Sequence, residues 1–192
     1  LKLLYVSTYY PHKQPGLIAE AVAQLNGQGI PCHLTLTMKL DRIAKTPGGD
    51  KDLFLLRKAI ERDQVTMIGN VTYRQLPNIY KSHDLFIFPS LSETFGHPLA
   101  EAMSTGLPVI ASDTPVHREV CKNSALYFSP LLPSDLARQI RNLEKNEALR
   151  NSLVERGRQN AADNFIWETH VDRLLDVFGK VAGMPIKRGV GL

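Results

Sequence analysis

Cysteine is scarce in this chain: Cys32 and Cys121 are the only two, each inside an apolar segment and neither at a metal-ligand spacing. Their scarcity excludes a disulfide framework and a zinc site, and it fits a reducing, cytoplasmic setting. Long apolar runs are lacking as well. No stretch approaches the ~20 apolar residues of a spanning helix, and the start has no basic-then-apolar order of a signal peptide. Membrane contact is therefore expected to be peripheral at most. Charge of one sign is nowhere massed, although the net charge is +4 and the pI about 9.1. The densest basic stretch, Arg150 to Arg158 with Lys145 before it, is interleaved with Glu147 and Glu155 at helical spacings. Such interleaving reads as a solvated helix face, so no nucleic-acid partner is expected. No G-x-G-x-x-G follows the first apolar run, which counts against a dinucleotide-dependent oxidoreductase. Internal repeats and low-complexity tracts are lacking too.

What is present is an ordinary globular composition, 43% apolar and 22% charged over 192 residues, enough for one well-cored domain. Runs rich in Leu, Val, Ile and aromatics recur at 3–8, 32–38, 65–68, 85–88, 108–111 and 125–128, and each reads as a strand. Between them lie helical periodicities, as at Leu17, Ile18, Ala21, Val22 and Leu25, and at Leu53, Leu56, Arg57 and Ile60. Alternating strands and helices require crossovers between parallel strands. The fold class that follows is α/β, a doubly wound, Rossmann-like parallel sheet of about six strands. After Pro133 the pattern is wholly helical, a C-terminal cover. The domain is expected over residues 1–182, with Gly183 to Leu192 a flexible tail. Because Leu1 opens almost directly into a strand, the chain reads as a piece of a longer protein.

In a doubly wound sheet, ligands sit beyond the carboxyl ends of the strands, near the point where strand order reverses. One loop there stands out: LFIFPS runs into LSETFGHPLAEAMSTG. Gly96 permits close backbone approach, Pro98 suits a first helical position and Gly106 suits the stop. A helix starting at Pro98 would turn unpaired N–H groups of Gly96, His97, Leu99 and Ala100 toward an anion, with the helix dipole reinforcing them. Glu101 would lie in the first turn, able to accept hydrogen bonds from paired sugar hydroxyls such as those of a ribose. Alone, Glu101 or Glu93 is an ordinary charge. Seven residues apart around a glycine turn, they point to a site.

The run PSLSETFGHPLAEAMSTGLPVIASD resembles the signature of group 1 glycosyltransferases, glycosyltransferase family 4, and the chain is similar to the C-terminal half of their two-domain GT-B fold. VTMIGN, LPNIYKSHDLFIFPS and FIWETHVDRLLDVF extend the similarity over most of the chain. The resemblance implies retaining transfer of a glycosyl group from a nucleoside diphosphate sugar, with no metal or other cofactor. The implied partners are that donor, such as a UDP- or GDP-sugar, and an N-terminal acceptor-binding domain of the same protein. Glu93 falls where the family has the acidic residue beside the sugar, and Glu101 where it has the one bonding the ribose. Thr94, Phe95, Gly96 and His97 fall on the loop whose backbone holds the diphosphate, and Gly69 on a loop bordering the nucleobase. His97 contributes backbone in this reading, and Phe95 anchors the loop by packing.

The family's first loop carries Gly-Arg and then Lys-Gly, the two cations clamping the diphosphate. Here the loop reads VSTYYPHKQ. Lys13 matches the lysine, whereas Ser7 and Thr8 stand at Gly-Arg and Gln14 at the second glycine. Ile166 replaces the usual cap residue before Trp167. With one cation lost, two readings stay open: a donor-binding domain that serves catalysis through Lys13 and Glu93, or a non-catalytic nucleotide-sugar binding module.

Overall fold

The computed structural model describes residues 1–183; the tail expected to be flexible lies, from residue 184 on, outside the described residues. Six strands form one parallel sheet: β1 (Lys2–Tyr5), β2 (His33–Leu36), β3 (Val65–Met67), β4 (Leu85–Phe88), β5 (Val109–Ser112) and β6 (Ala125–Phe128). All six fall on the runs read as strands. Their order is β3-β2-β1-β4-β5-β6, so strand order reverses between β1 and β4. The LFIF and VIAS segments of β4 and β5 are buried at every position, as strands covered on both faces must be. The edge strands β3 and β6 carry partly exposed positions.

The long helices follow the apolar periodicities: α1 (Pro15–Gly27), then α3 (Asp50–Glu61) after a six-residue α2 (Leu40–Lys45). Next come α4 (Leu76–Lys81), α5 (His97–Thr105) and α6 (Pro115–Cys121). The cover consists of α7 (Pro133–Lys145), α8 (Glu147–Asn164) and α9 (Trp167–Ala182). α1 packs against α3 and α7, while α5 packs against α4, α6 and α8. Two helical layers thus flank the sheet. The short helices α2, α4 and α6 were not legible as periodicities, because six or seven residues give less than two full turns.

Helix α1 approaches α3 closely because Gly16 has no side chain. A Cβ there would lie 2.5 Å from Asp52 Oδ1 and 3.1 Å from Asp52 Cα. The Gly16 N–H donates to that Oδ1 at 2.9 Å, and the Tyr9 hydroxyl donates to Oδ2 at 2.9 Å. Asp52 is buried, and burial raises its pKa despite both bonds. Cys32 and Cys121 are buried free thiols, and burial pushes Cys121 up to about 12, which leaves it unreactive at neutral pH. Among the described residues no helix is long and apolar enough to cross a membrane. The Arg150–Arg158 stretch lies on α8, and there Arg156 departs from the expected solvated face: its Nε is buried and its Nη1 bonds Ser152 Oγ.

Candidate functional site

The loops after β1 and β4 flank the reversal point of the sheet, and they hold most of the residues singled out from sequence. After β1 the chain leaves the sheet at Val6, earlier than the apolar run implied, so Ser7 and Thr8 belong to the loop rather than to the strand. The Ser7 N–H donates to Thr37 Oγ1 at 3.0 Å, and Ser7 Oγ donates to the Thr8 carbonyl at 3.0 Å. Thr8 is exposed. A 3-10 turn over Pro11–Lys13 then delivers Lys13 to the crevice, and Tyr5 in β1 holds its carbonyl with a 3.0 Å hydrogen bond.

The next residue, Gln14, takes the left-handed conformation, φ 49° and ψ 44°, as the N-cap of α1. A glycine would adopt it without strain; glutamine bears ~1 kcal/mol, offset in part by its Nε2 donating to the Pro11 carbonyl at 2.8 Å. Gln14 thus holds a left-handed conformation at the point where the resemblance expected a glycine.

Across the crevice, the Leu91 N–H donates to the His12 carbonyl at 2.9 Å and ties the two loops together. Lys13 Nζ forms an ion pair with Glu93 Oε1; the two side chains are only 13% and 12% exposed. The ammonium also lies 5.8 Å from the centre of the Phe88 ring, a cation–π contact at the end of β4. Behind Phe88 sits His117, fully buried, edge-on at 5.2 Å, with Nδ1 2.8 Å from the Ser112 carbonyl. Burial lowers the His117 pKa, so the ring stays neutral. No motif in the sequence signalled His117, which reaches this position from α6.

The turn into α5 depends on Gly96. Its φ is 85°, and a Cβ on it would meet Leu99 Cδ1 at 3.1 Å and Phe88 Cε1 at 3.3 Å. The helix starts one residue earlier than expected, at His97, with Gly106 (φ 79°) as its left-handed C-cap. Two expectations change as a result. Glu101 lies beyond the first turn, and the Leu99 N–H is used, donating to the Gly96 carbonyl at 2.8 Å. The N–H groups of Thr94, Phe95, Gly96 and His97 have no acceptor among the described residues. They lie at the N-terminus of α5, where the helix dipole favours negative charge.

Phe95 packs edge-on against Phe165 at 5.4 Å and leans on His97 at 4.9 Å, holding the loop against the C-terminal end of α8. The Glu101 carboxylate accepts from the Tyr80 hydroxyl at 2.7 Å, which fixes one oxygen and turns the group toward α4. Burial and the adjacent carboxylate keep the Tyr80 hydroxyl protonated. Sequence reading missed Tyr80, since its role depends on α4 packing beside α5. Gly69 follows β3 in a left-handed conformation, φ 71°, under the stem of Lys39. Beside Glu101 opens a cavity of about 810 Å³, lined by Phe95, His97, Arg158, Trp167 and His170 among others.

Strand order and helical layers define a doubly wound α/β domain, with the Lys13–Glu93 ion pair in the crevice at its switch point. The family described as glycosyl transferases group 1 matches residues 1–160. The chain belongs to that family. It is 29% identical over 184 residues to a D-inositol 3-phosphate glycosyltransferase of Salinispora tropica, covering 92% of this chain and 37% of the relative. Among solved structures, sucrose-phosphate synthase from Thermosynechococcus elongatus superposes with a TM-score of 0.82 at 24% identity, covering 95% of this chain and 45% of that one. Anabaena HepE in complex with UDP and glucose gives 0.79 at 18%, covering 93% and 48%. The chain thus spans less than half the length of these proteins.

Proposed function

We propose that this chain is the donor-binding domain of a glycosyltransferase that moves a sugar from a nucleoside diphosphate sugar to an acceptor with retention of configuration. The observation that carries this is the meeting of Lys13 and Glu93 at the switch point, in front of the open amides of residues 94–97. A diphosphate bound there accepts from those amides and from Lys13. As the glycosyl bond breaks, negative charge grows on the leaving oxygen, and donors already aimed at it stabilise that charge without reorganising. Glu93 lies beside the sugar, and Glu101, steadied by Tyr80, accepts from the ribose hydroxyls. Gly69 borders the base, while Ser7 and Thr8 line the first loop. The UDP-bound state of HepE supports a nucleotide donor, given the shared fold. The acceptor and any general base belong to the rest of the protein.

Thr8 favours a second reading. It is exposed where the family places a guanidinium, so a module that binds the nucleotide without catalysis is the alternative. Both readings are separated by Lys13→Ala in the full-length protein. Catalysis requires that transfer at saturating donor fall by ~10-fold or more, because Lys13 meets charge that grows in the transition state. A protein that binds a donor yet transfers no sugar, and in which Lys13→Ala weakens binding alone, is the non-catalytic module. Product formed by this chain alone would overturn the assignment of the acceptor site elsewhere.

A further inference from the structure

Lys39 stands in the loop after β2, and its stem crosses the backbone of Gly69 in the loop after β3. The positions are close: a Cβ on Gly69 would lie 3.4 Å from Lys39 Cε and 3.6 Å from Cγ. A side chain at 69 would rest against the lysine stem, and the left-handed backbone there, φ 71°, disfavours any residue but glycine. The backbone of Lys39 is held as well. Its carbonyl accepts from the Ile43 N–H, and two residues earlier Thr37 Oγ1 accepts from the Ser7 N–H, tying this loop to the first one. Lys39 itself is exposed and forms no ion pair among the described residues.

The rim of the sheet fixes what lies near it. Neighbouring strands are ~4.8 Å apart, so the loops after β4, β1, β2 and β3 follow one another in steps of that size. A nucleoside diphosphate held at β1 and β4 can extend its base toward β3 or toward β6. In the nucleotide reading above it takes the first course, because Gly69, in the loop after β3, is the position that borders the base. A base beside Gly69 comes within reach of the Lys39 ammonium, whose stem runs past that glycine.

Resting on the nucleotide reading above, we propose that Lys39 selects the base of the donor, favouring uracil or guanine over adenine. An ammonium donates only. Uracil and guanine carry an exocyclic carbonyl oxygen where adenine carries an amino group, so at that position adenine would meet the ammonium donor to donor and keep only ring nitrogens as acceptors.

The test is calorimetric titration of UDP, GDP and ADP into the chain and into Lys39→Met, which keeps the stem and removes the charge. The unaltered chain should bind UDP or GDP roughly tenfold tighter than ADP, as one charge-assisted hydrogen bond allows. Lys39→Met should erase most of that preference by weakening the favoured nucleotide, with ADP unchanged within about twofold on the same scale. Equal weakening of all three would assign Lys39 to the shared diphosphate and overturn the proposal, as would a preference for ADP or no change. Binding of none of the three to the unaltered chain would instead overturn the nucleotide reading, and this inference with it.

Discussion

Lys13 and Glu93 form an ion pair across the point where the strand order of the sheet reverses, one from the loop after β1 and the other from the loop after β4. Eighty positions separate them in sequence. The pair closes the crevice on itself, and on the proposed reading a diphosphate bound there would compete with Glu93 for the ammonium of Lys13.

That competition sets different outcomes for the two glutamates. Glu93→Gln should leave the affinity for a nucleoside diphosphate unchanged or raise it, since Lys13 is then no longer shared with a carboxylate. Glu101→Gln should lower affinity by ~10-fold, through loss of a charged acceptor for hydroxyl donors. Calorimetry on both variants checks this, and equal losses would contradict the roles given to the two groups.

Asp52 makes stability depend on pH in the unusual direction. Burial raises its pKa in the folded chain, so the folded state binds the proton more tightly than the unfolded one. Its contribution is most favourable below the unfolded pKa and is lost as pH rises through the higher folded value. Asp52→Asn should remove that loss, because an amide can accept from Gly16 N–H and donate to the Tyr9 oxygen. Urea unfolding at pH 4 and pH 7 measures it: the variant should gain on the native chain between the two pH values. An unchanged difference would show that Asp52 does not titrate there.

Two glycines of α1 should respond oppositely to alanine. At Gly16 the new Cβ meets Asp52 backbone and carboxylate at 3.1 and 2.5 Å, and forcing α1 from α3 should destabilise by ~1–3 kcal/mol. At Gly27 a Cβ has nothing within 4 Å, so alanine should be neutral or stabilising by up to ~1 kcal/mol. Denaturant midpoints of the two variants test the pair, and similar losses at both would remove close packing as the explanation.

The amino-acid sequence by itself determined the strands, the doubly wound class and the loop-to-helix turn that carries the acidic pair. Apolar runs bounded by turn residues mark strands wherever they are buried, and Gly96 and Gly106 bracket α5 because their backbone angles are ones that glycine adopts freely. Local pattern could also place Lys13 and Glu93 on loops at strand ends and Glu101 on the helix that follows. Only the tertiary structure decided what those residues touch. The pairing of Lys13 with Glu93, the hold of Tyr80 on Glu101, the place of His117 behind Phe88 and the passage of Lys39 over Gly69 all join separate elements. Such contacts arise from the order in which strands lie side by side and from helices packing across them. That order is set by burial of the whole core, and no short stretch of sequence carries it.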